Sequence, residues 1–349
     1  MTHDELLDRV RHGVHVQGAD CRGWNLDGLD LSGAMLEDVD FTGARLVGTN
    51  LEGSMLTRCK MGGSDASRSL LKGARFFRCQ LQGMRLDGAM LEDTSFVESE
   101  LAQASFVEAN LDRTVFFRCD LRAGRIRSQN FRHATFAESL LERIDFCGAL
   151  LNAVTFHRLD LSTAAFAEAR FDTAIFVECT LSGQRFAGQQ FQRCVFTDSR
   201  MNDVDFQGAT LLQCIFKGAA LRGASFVGTQ APNALFPEAD LTGVSFRGGR
   251  FDRSIWVDAH LEGADFSDAR LPESVFHRAR CKGASFRNAE LQDVDFSYAE
   301  LVDADLRKAH FLRTRFHRAN QQGARFSGRG GIIENDPDLF KAQARSDLY

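Results

Sequence analysis

Nine cysteines, nine histidines and 47 acidic residues give this 349-residue chain ample material for metal binding, disulfides or acid–base catalysis. Their spacing points elsewhere. No zinc-type grouping of Cys and His occurs. Cys59, Cys79, Cys119, Cys179, Cys194 and Cys214 stand where the chain otherwise places Ala, Ser or Thr, and Cys21 and Cys281 stand where it otherwise places large apolar residues. They read as buried thiols in a reducing compartment. A disulfide between Cys59 and Cys79, or Cys194 and Cys214, is conceivable but not needed. His157, His277 and His317 share one outward column but lie several repeats apart, too far to share a proton or a metal. Asp20, Asp30, Asp40, Asp240 and Asp265 occupy one recurring position and are expected to hydrogen-bond turn backbone. Glycines such as Gly43, Gly53 and Gly63 read as tight-turn residues rather than a phosphate loop. A convergent active site usually needs long loops, and none interrupts the chain. Neither catalysis nor a cofactor nor a metal is expected.

The elements that must position these side chains are set by an internal repeat. Every fifth residue from Leu26 to Phe326 falls on one phase; of 61 such positions all but Ala66, Ala231, Cys281 and Gln321 are Leu, Phe, Met, Ile or Trp. Five is neither the helical nor the strand period. Two residues earlier sits a small side chain (Ala34, Ala44, Thr49, Ser54, Ala74), often followed by Asp, Asn or Ser, as in Ala239-Asp240-Leu241 and Ala109-Asn110-Leu111. A second beat of twenty is superimposed. From Phe76 to Phe316 every twentieth residue is aromatic, including Trp256, and the column ten residues away is mostly Phe, from Phe106 to Phe286. This beat follows if residues i and i+20 stack in successive coils with Phe facing Phe across the core.

The unit A-[DNS]-[LF]-x-x resembles the pentapeptide-repeat family over about nine-tenths of the chain. The resemblance implies an all-β fold, a right-handed quadrilateral parallel β-helix with four units per coil. About fifteen coils at ~4.8 Å spacing would give a rod of roughly 70 Å. Repeat arrays need capped ends. Residues 1–13 are expected to form an N-terminal capping helix, with Thr2 and Glu5 at capping-box spacing, an apolar stripe of Leu6, Leu7 and Val10, and Gly13 as its stop. Val14 and Val16 would then enter the repeat phase of one solenoid spanning 14–327. Residues 328–349 form the C-terminal cap and polar tail: Ile332 and Ile333 cover the last coil, and a short helix near Leu339 to Ala344 lies in a mobile segment.

Length alone would suggest two or three domains, but the unbroken phase overrides that prior. With 42 basic against 47 acidic residues the net charge of −5 demands neither nucleic acid nor an acidic ligand. The charged, amphipathic first fifteen residues do not read as a signal peptide, and no apolar run approaches membrane-spanning length. Cytoplasmic synthesis is the default, with no membrane or small-molecule partner.

Function is therefore sought on the outer surface. Three faces carry mainly charged, polar or glycine residues beside the core position. The face with the all-aromatic column does not. Before the core position it shows Met35, Met55, Val115, Thr135, Thr155, Ile175, Val195, Ile215, Leu235, Ile255 and Val275; after it come Phe77, Val97, Phe117, Ala137, His157, Val177, Thr197 and Val257. Arg78, Glu98, Arg118, Glu138, Arg158, Glu178 and Asp198 line the adjoining corner. An apolar ribbon with a charged rim is the composition of an interface, although β-branched residues also simply suit strands. The interface set is Phe77, Val97, Val115, Phe117, Ile175, Val177, Val195, Ile215, Leu235, Ile255, Val257 and Val275, facing a protein partner or a second copy, a twofold dimer being the commonest case.

Two irregularities stand out. Gln129, Gln184 and Gln189 occupy the small inward site, where a long amide is costly, so local outward displacement is expected rather than a ligand site. Ala231 beside Pro232, with Pro237 and Pro272 nearby, marks corner irregularity or a break in the coil. Three functions compete. The first is a non-catalytic binding solenoid. The second is a DNA mimic that protects DNA gyrase, as the quinolone-resistance members of the family do; but those concentrate negative charge and use projecting loops, whereas here Asp112-Arg113, Glu142-Arg143 and Asp252-Arg253 alternate in sign. The third refines the first. The segments Asp4–Gly13 and Asn25–Ala34 resemble repeat proteins of bacterial type VI secretion clusters, which implies an adaptor for effector loading.

Overall fold

Each turn of this chain is built from the same hydrogen-bond unit, repeated every five residues. A computed structural model describes residues 1–129 and 131–346, and its backbone divides into two compact units, Met1–Thr180 and Leu181–Tyr349. Residues 347–349 of the expected tail lie outside the described residues. At each repeat the core residue donates its N–H to a carbonyl nineteen residues on, as Leu31 does to Asn50 at 2.7 Å, and the residue before the core position donates back, as Asn50 does to Leu29 at 2.9 Å. The second residue after the core takes a left-handed conformation at nearly every repeat from Gly18 to Gly323, with φ between 50° and 73°, Ser128 and Thr163 being exceptions. There it also points its N–H at the next turn, as Gly33 does to Glu52 at 2.8 Å. Asp and Asn before the core position accept from the N–H two residues on: Asp20 from Arg22, Asp30 from Ser32, Asp40 from Thr42, Asp240 from Thr242 and Asp265 from Ser267. The recurring carboxylates thus act as turn acceptors.

The first unit opens with the helix His3–Arg11. The Thr2 hydroxyl accepts from Glu5 N–H at 3.2 Å, and Glu5 accepts from Thr2 N–H at 2.9 Å. Leu6 and Val10 are buried, while Leu7 is half-buried. Val16 enters the core, but Val14 stays 46% exposed, since the chain is still leaving the helix there. Three-residue strands then stack in parallel, among them Met35–Glu37, Met55–Thr57, Arg75–Phe77, Ser95–Val97, Val115–Phe117, Thr135–Ala137, Thr155–His157 and Ile175–Val177. The register is twenty residues throughout: Phe96 opposes Phe116, Phe116 opposes Phe136 and Phe136 opposes Phe156. Three further stacks follow the same step, such as Asp20 with Asp40, Asn25 with Arg45 and Asp30 with Asn50. Four walls per twenty-residue turn result.

The second unit repeats this geometry. Val195 bridges Ile215, Ile215 bridges Leu235, Leu235 bridges Ile255 and Ile255 bridges Val275 on its aromatic wall. Pro232, Pro237 and Pro272 leave the coil unbroken. Their carbonyls accept from Gln213, Gly218 and Arg253 at 2.9–3.1 Å. Each proline sits directly after the core position, at a residue from which the inter-turn ladder takes no N–H, so the missing donor costs nothing. At the end, Ile332–Ile333 pairs with Thr314–Arg315, a step of 18 rather than 20 residues, and the helix Pro337–Ser346 follows. Each unit is a parallel β-solenoid of stacked twenty-residue turns. Among the described residues no helix is long and apolar enough to cross a membrane.

Inside, the aromatic columns stack as their spacing requires. Phe96 and Phe116 lie 5.1 Å apart with planes within 4°. Phe106 on the opposite wall meets Phe116 edge-on at 5.6 Å and 87°. Offset stacks along a wall and T-shaped contacts across it are the two favourable quadrupole arrangements. Trp256 continues the column, and its buried N–H donates to the Ser254 hydroxyl at 2.7 Å. The glutamines behave differently from one another. Gln129 is displaced outward, its amide donating to the Gly148 carbonyl at 2.7 Å, and Ser128 takes the inward place with its hydroxyl on the Ala109 carbonyl. Gln184 is not displaced; it stays in register, only 9% exposed. All nine cysteines are free thiols, eight of them buried and Cys147 half-buried.

Candidate functional site

In the first unit the aromatic wall is where the regular strands concentrate. The cause is local. On the neighbouring walls Asp or Asn before the core position pulls the following N–H into a turn, whereas here β-branched and aromatic residues on both sides of the core position favour an extended triplet. Phe77 is 37% and Val115 36% exposed, flanked by Met35 at 41% and Met55 at 46%. Val97, Phe117, Ile175 and Val177 are half-buried. In the second unit Val195, Ile215, Leu235, Ile255, Val257 and Val275 are likewise half-buried. The expected interface set thus forms one outward strip in each unit. Its members are less exposed than their outward phase suggests because a side chain 4.8 Å from its copies above and below is shaded by them (the usual inter-strand spacing of about that size).

The charged rim is more self-contained than its sequence implies. Asp38 pairs with Arg58, Arg78 with Glu98, Arg118 with Glu138 and Arg158 with Glu178 in the first unit, all at 2.7–2.9 Å. Asp258 pairs with Arg278 at 2.7 Å in the second. The corner on the other side of the wall holds Asp93 with Arg113, Arg253 with Glu273 and Asp293 with Arg313. The guanidinium bonds of Arg58, Arg158 and Arg278 hold the carboxylates of Asp38, Glu178 and Asp258 below the ordinary range. Exposed pairs of this kind add little stability, typically ~0–1 kcal/mol. Their effect is to neutralise the rim. Arg78 and Arg118 also lie over the rings of Phe77 and Phe117, each 4.8 Å from the centroid. The signal for these ladders was present in the sequence: Arg and acid alternate at steps of twenty.

The histidine column is corrected by the structure. His157 and His277 are half-buried, but His317 is fully buried. What covers it is the C-terminal helix, an occupant of the aromatic wall that sequence reasoning placed in a mobile tail. Phe340 meets the His317 ring at 4.7 Å and 71°, and the Arg318 guanidinium lies 5.2 Å from the Phe340 centroid. The Asp336 N–H donates to His317 Nδ1 at 3.2 Å, and the Gln343 amide donates to the Tyr298 hydroxyl. The tail's one sequence cue was a pair of large apolar residues, Leu339 and Phe340, in a polar setting.

Among the described residues no group of three or more His, Cys, Asp or Glu side chains converges as a metal site would. The charge cluster around Asp305 is structural in form. Asp305, 6% exposed, accepts from Arg307 at 2.7 and 2.8 Å, with Arg325 at 3.3 Å and Arg287 at 3.4 Å. Hydrogen bonds from Arg307 hold its carboxyl far below the usual range, against the opposing pull of burial.

Comparison with known proteins agrees with this architecture. A model described as pentapeptide repeats (8 copies) matches residues 12–43, 36–73, 74–113 and 130–166. A second, described as a pentapeptide repeat region, matches residues 169–246 and 249–326. The gap at 114–129 contains the Ser128/Gln129 exchange. No curated protein matches the chain. Among solved structures, HetL, a pentapeptide repeat protein involved in heterocyst differentiation regulation from Nostoc sp. strain PCC 7120, is 20% identical, covering 84% of this chain and 98% of its own, with a TM-score of 0.24. Full-length QnrB1, a plasmid-mediated fluoroquinolone resistance protein, is 17% identical over 65% of this chain and 96% of its own, with a TM-score of 0.26. A thylakoid-lumen pentapeptide repeat protein of Arabidopsis thaliana is 28% identical over 36% of this chain and 66% of its own, with a TM-score of 0.13. With repeat models matching nearly end to end and a twenty-residue register on every wall, the chain belongs to the pentapeptide-repeat family.

Proposed function

We propose that this protein is a non-catalytic docking solenoid whose aromatic wall binds a protein partner. One observation carries the reading. At backbone positions that are mainly polar on the other three walls, this wall concentrates Val, Ile, Leu, Met and Phe, interrupted in the first unit by Arg75, Ser95, Thr135 and Thr155 and unbroken before the core position from Val195 to Val275 in the second, part-exposed and unshielded by any loop. The rim ladders support it, because self-neutralised corners lower the cost of covering the strip. An adaptor role in bacterial type VI secretion is the finer form of this reading; it would make the partner a secreted effector, and it rests on the entry segments Asp4–Gly13 and Asn25–Ala34 alone. Gyrase protection by duplex mimicry is the weaker reading, since mimicry needs unpaired negative charge and the corner carboxylates here are largely spent on arginines.

The test is the double variant Ile215→Asp plus Ile255→Asp. It should retain the wild-type circular dichroism spectrum and melting transition while losing association, read by sedimentation mass and by capture of partners from the source organism. Capture of topoisomerase subunits would move the reading to mimicry. Unchanged mass together with unchanged capture would end the docking proposal.

A further inference from the structure

The chain already shows what kind of element its aromatic wall accepts. In the second unit the helix Pro337–Ser346 lies on that wall, meeting His317 through Phe340 and Tyr298, on the preceding turn, through Gln343. Residues 340 and 343 are separated by about 4.5 Å of helical rise. Successive turns of the wall are separated by about 4.8 Å. A helix lying along the stack therefore stays in step with it, presenting a residue to each turn every three to four positions. The helix runs from higher- to lower-numbered turns over the positions after the core residue, so its line continues over His277, Val257 and Lys217, beside the column of Val275, Ile255, Leu235 and Ile215 on the same strands. Beneath it Ser297 and His317 are buried, whereas His277 and Val257, at the same position on earlier turns, remain half-exposed. Where the helix ends, a cavity of about 440 Å³ opens, lined by His277, Arg278, Asp295, Ser297, Tyr298 and Gln343. Among the described residues the Ser297 hydroxyl at its floor has no hydrogen-bond partner.

The electrostatics of the open stretch are asymmetric. The corner on one side carries Asp198, Glu238 and Asp258, and among the described residues only Asp258 has an ion-pair partner, Arg278. Lys217 is set on the wall between the other two. The opposite corner carries the uncharged Gln213 and Asn233 and the neutralised pair Arg253 and Glu273. The surface is thus an apolar track with one mildly acidic edge.

We propose that this stretch of the second unit is a helix-binding track for a partner protein. The partner segment is an amphipathic helix with apolar residues at i, i+3 or i+4, and i+7, laid parallel to the line of the chain's own helix and seated over Ile215, Leu235, Ile255 and Val275. Lys or Arg lies on its flank toward Asp198 and Glu238. Helix-in-groove recognition reads the same anchors. This inference rests on the docking function proposed above and specifies the partner's form.

The probe is a fluorescent eighteen-residue model helix with a Leu face and Lys flank, compared with one bearing the same Leu face and a Glu flank. Both are titrated by anisotropy into the full-length chain at about 0.15 M salt. The Lys-flanked peptide should bind saturably, and Ile215→Asp plus Ile255→Asp should weaken it at least tenfold. The Glu-flanked peptide should bind at least tenfold more weakly, and Asp198→Lys plus Glu238→Lys should reverse that order. Equal binding of the Lys-flanked peptide to wild type and the apolar-wall variant would overturn the track. Equal binding of the two peptides to wild type would overturn the charge matching. If the wall variant still loses its protein association but neither peptide binds wild type, docking stands and the helical form of the partner falls. A self-associated chain that the peptide disperses would reassign the track to a second copy and overturn the partner assignment.

Discussion

The rings of Phe216 and Phe236 lie one turn apart with centroids separated by 4.9 Å and planes within 4° of parallel. Phe216 also stacks on Phe196 at 5.0 Å and meets Phe206 and Phe226 edge-on, each at 6.0 Å, so its ring is held from four sides. It is wholly buried. Phe216→Ala should therefore cost ~3–5 kcal/mol, measured as a lower urea midpoint with association through the outer wall retained by the folded fraction. A loss below about 1 kcal/mol would mean the column repacks freely around the gap.

The thiols offer a second check on the interior. Burial pushes Cys119 up to about 12 and Cys179 and Cys21 up to about 11. Cys147 alone is half-buried, its thiol raised by burial and by the nearby Asp145 carboxylate. Ellman's reagent at pH 8 should modify one thiol slowly in the native protein and all nine after unfolding without reductant. Rapid reaction of several thiols in the native state would contradict the packing, and fewer than nine after unfolding would reveal a disulfide.

Acid stability should depend on Asp305. Its carboxyl is held far below its unfolded value, chiefly by hydrogen bonds from Arg307. A depressed carboxylate contributes stability that is fully present above its unfolded pKa, about 3.9, and is lost as pH falls toward the folded value. Asp305→Asn should cost roughly 1–3 kcal/mol at pH 7 and should flatten the fall in melting temperature below about pH 4. Melting curves that stay parallel from pH 7 to pH 2 for variant and wild type would refute this role.

The sequence made legible whatever repeats every five or twenty residues, because stacking turns a period into a contact. Phe116 over Phe136, the turn-capping role of Asp30 and the apolar column from Ile215 to Val275 all follow from phase alone. What escaped it breaks the period or compares energies at one place. Ser128 replaces Gln129 inside because its hydroxyl can donate a hydrogen bond to the Ala109 carbonyl within the wall, while the longer amide reaches Gly148 only from outside. Val14 keeps the phase but not the burial, because the helix exit still sets its direction. The contact of Phe340 with His317 joins an aperiodic tail to a periodic wall, so no spacing announces it. The pairing of Arg78 with Glu98 was visible as alternation, yet reading the corner as an open rim required assuming that side chains do not satisfy one another first.

The ladder that ties each core N–H to a carbonyl nineteen residues ahead treats all four walls alike. A duplication or loss of twenty residues would therefore alter only the number of anchors on the track. An insertion of five would keep the ladder, yet from that point onward every column would pass to the adjacent side: the ring stack would meet a leucine column inside, and the docking strip would turn a corner outside. Length can change freely in whole laps, but surface chemistry tolerates no quarter-lap.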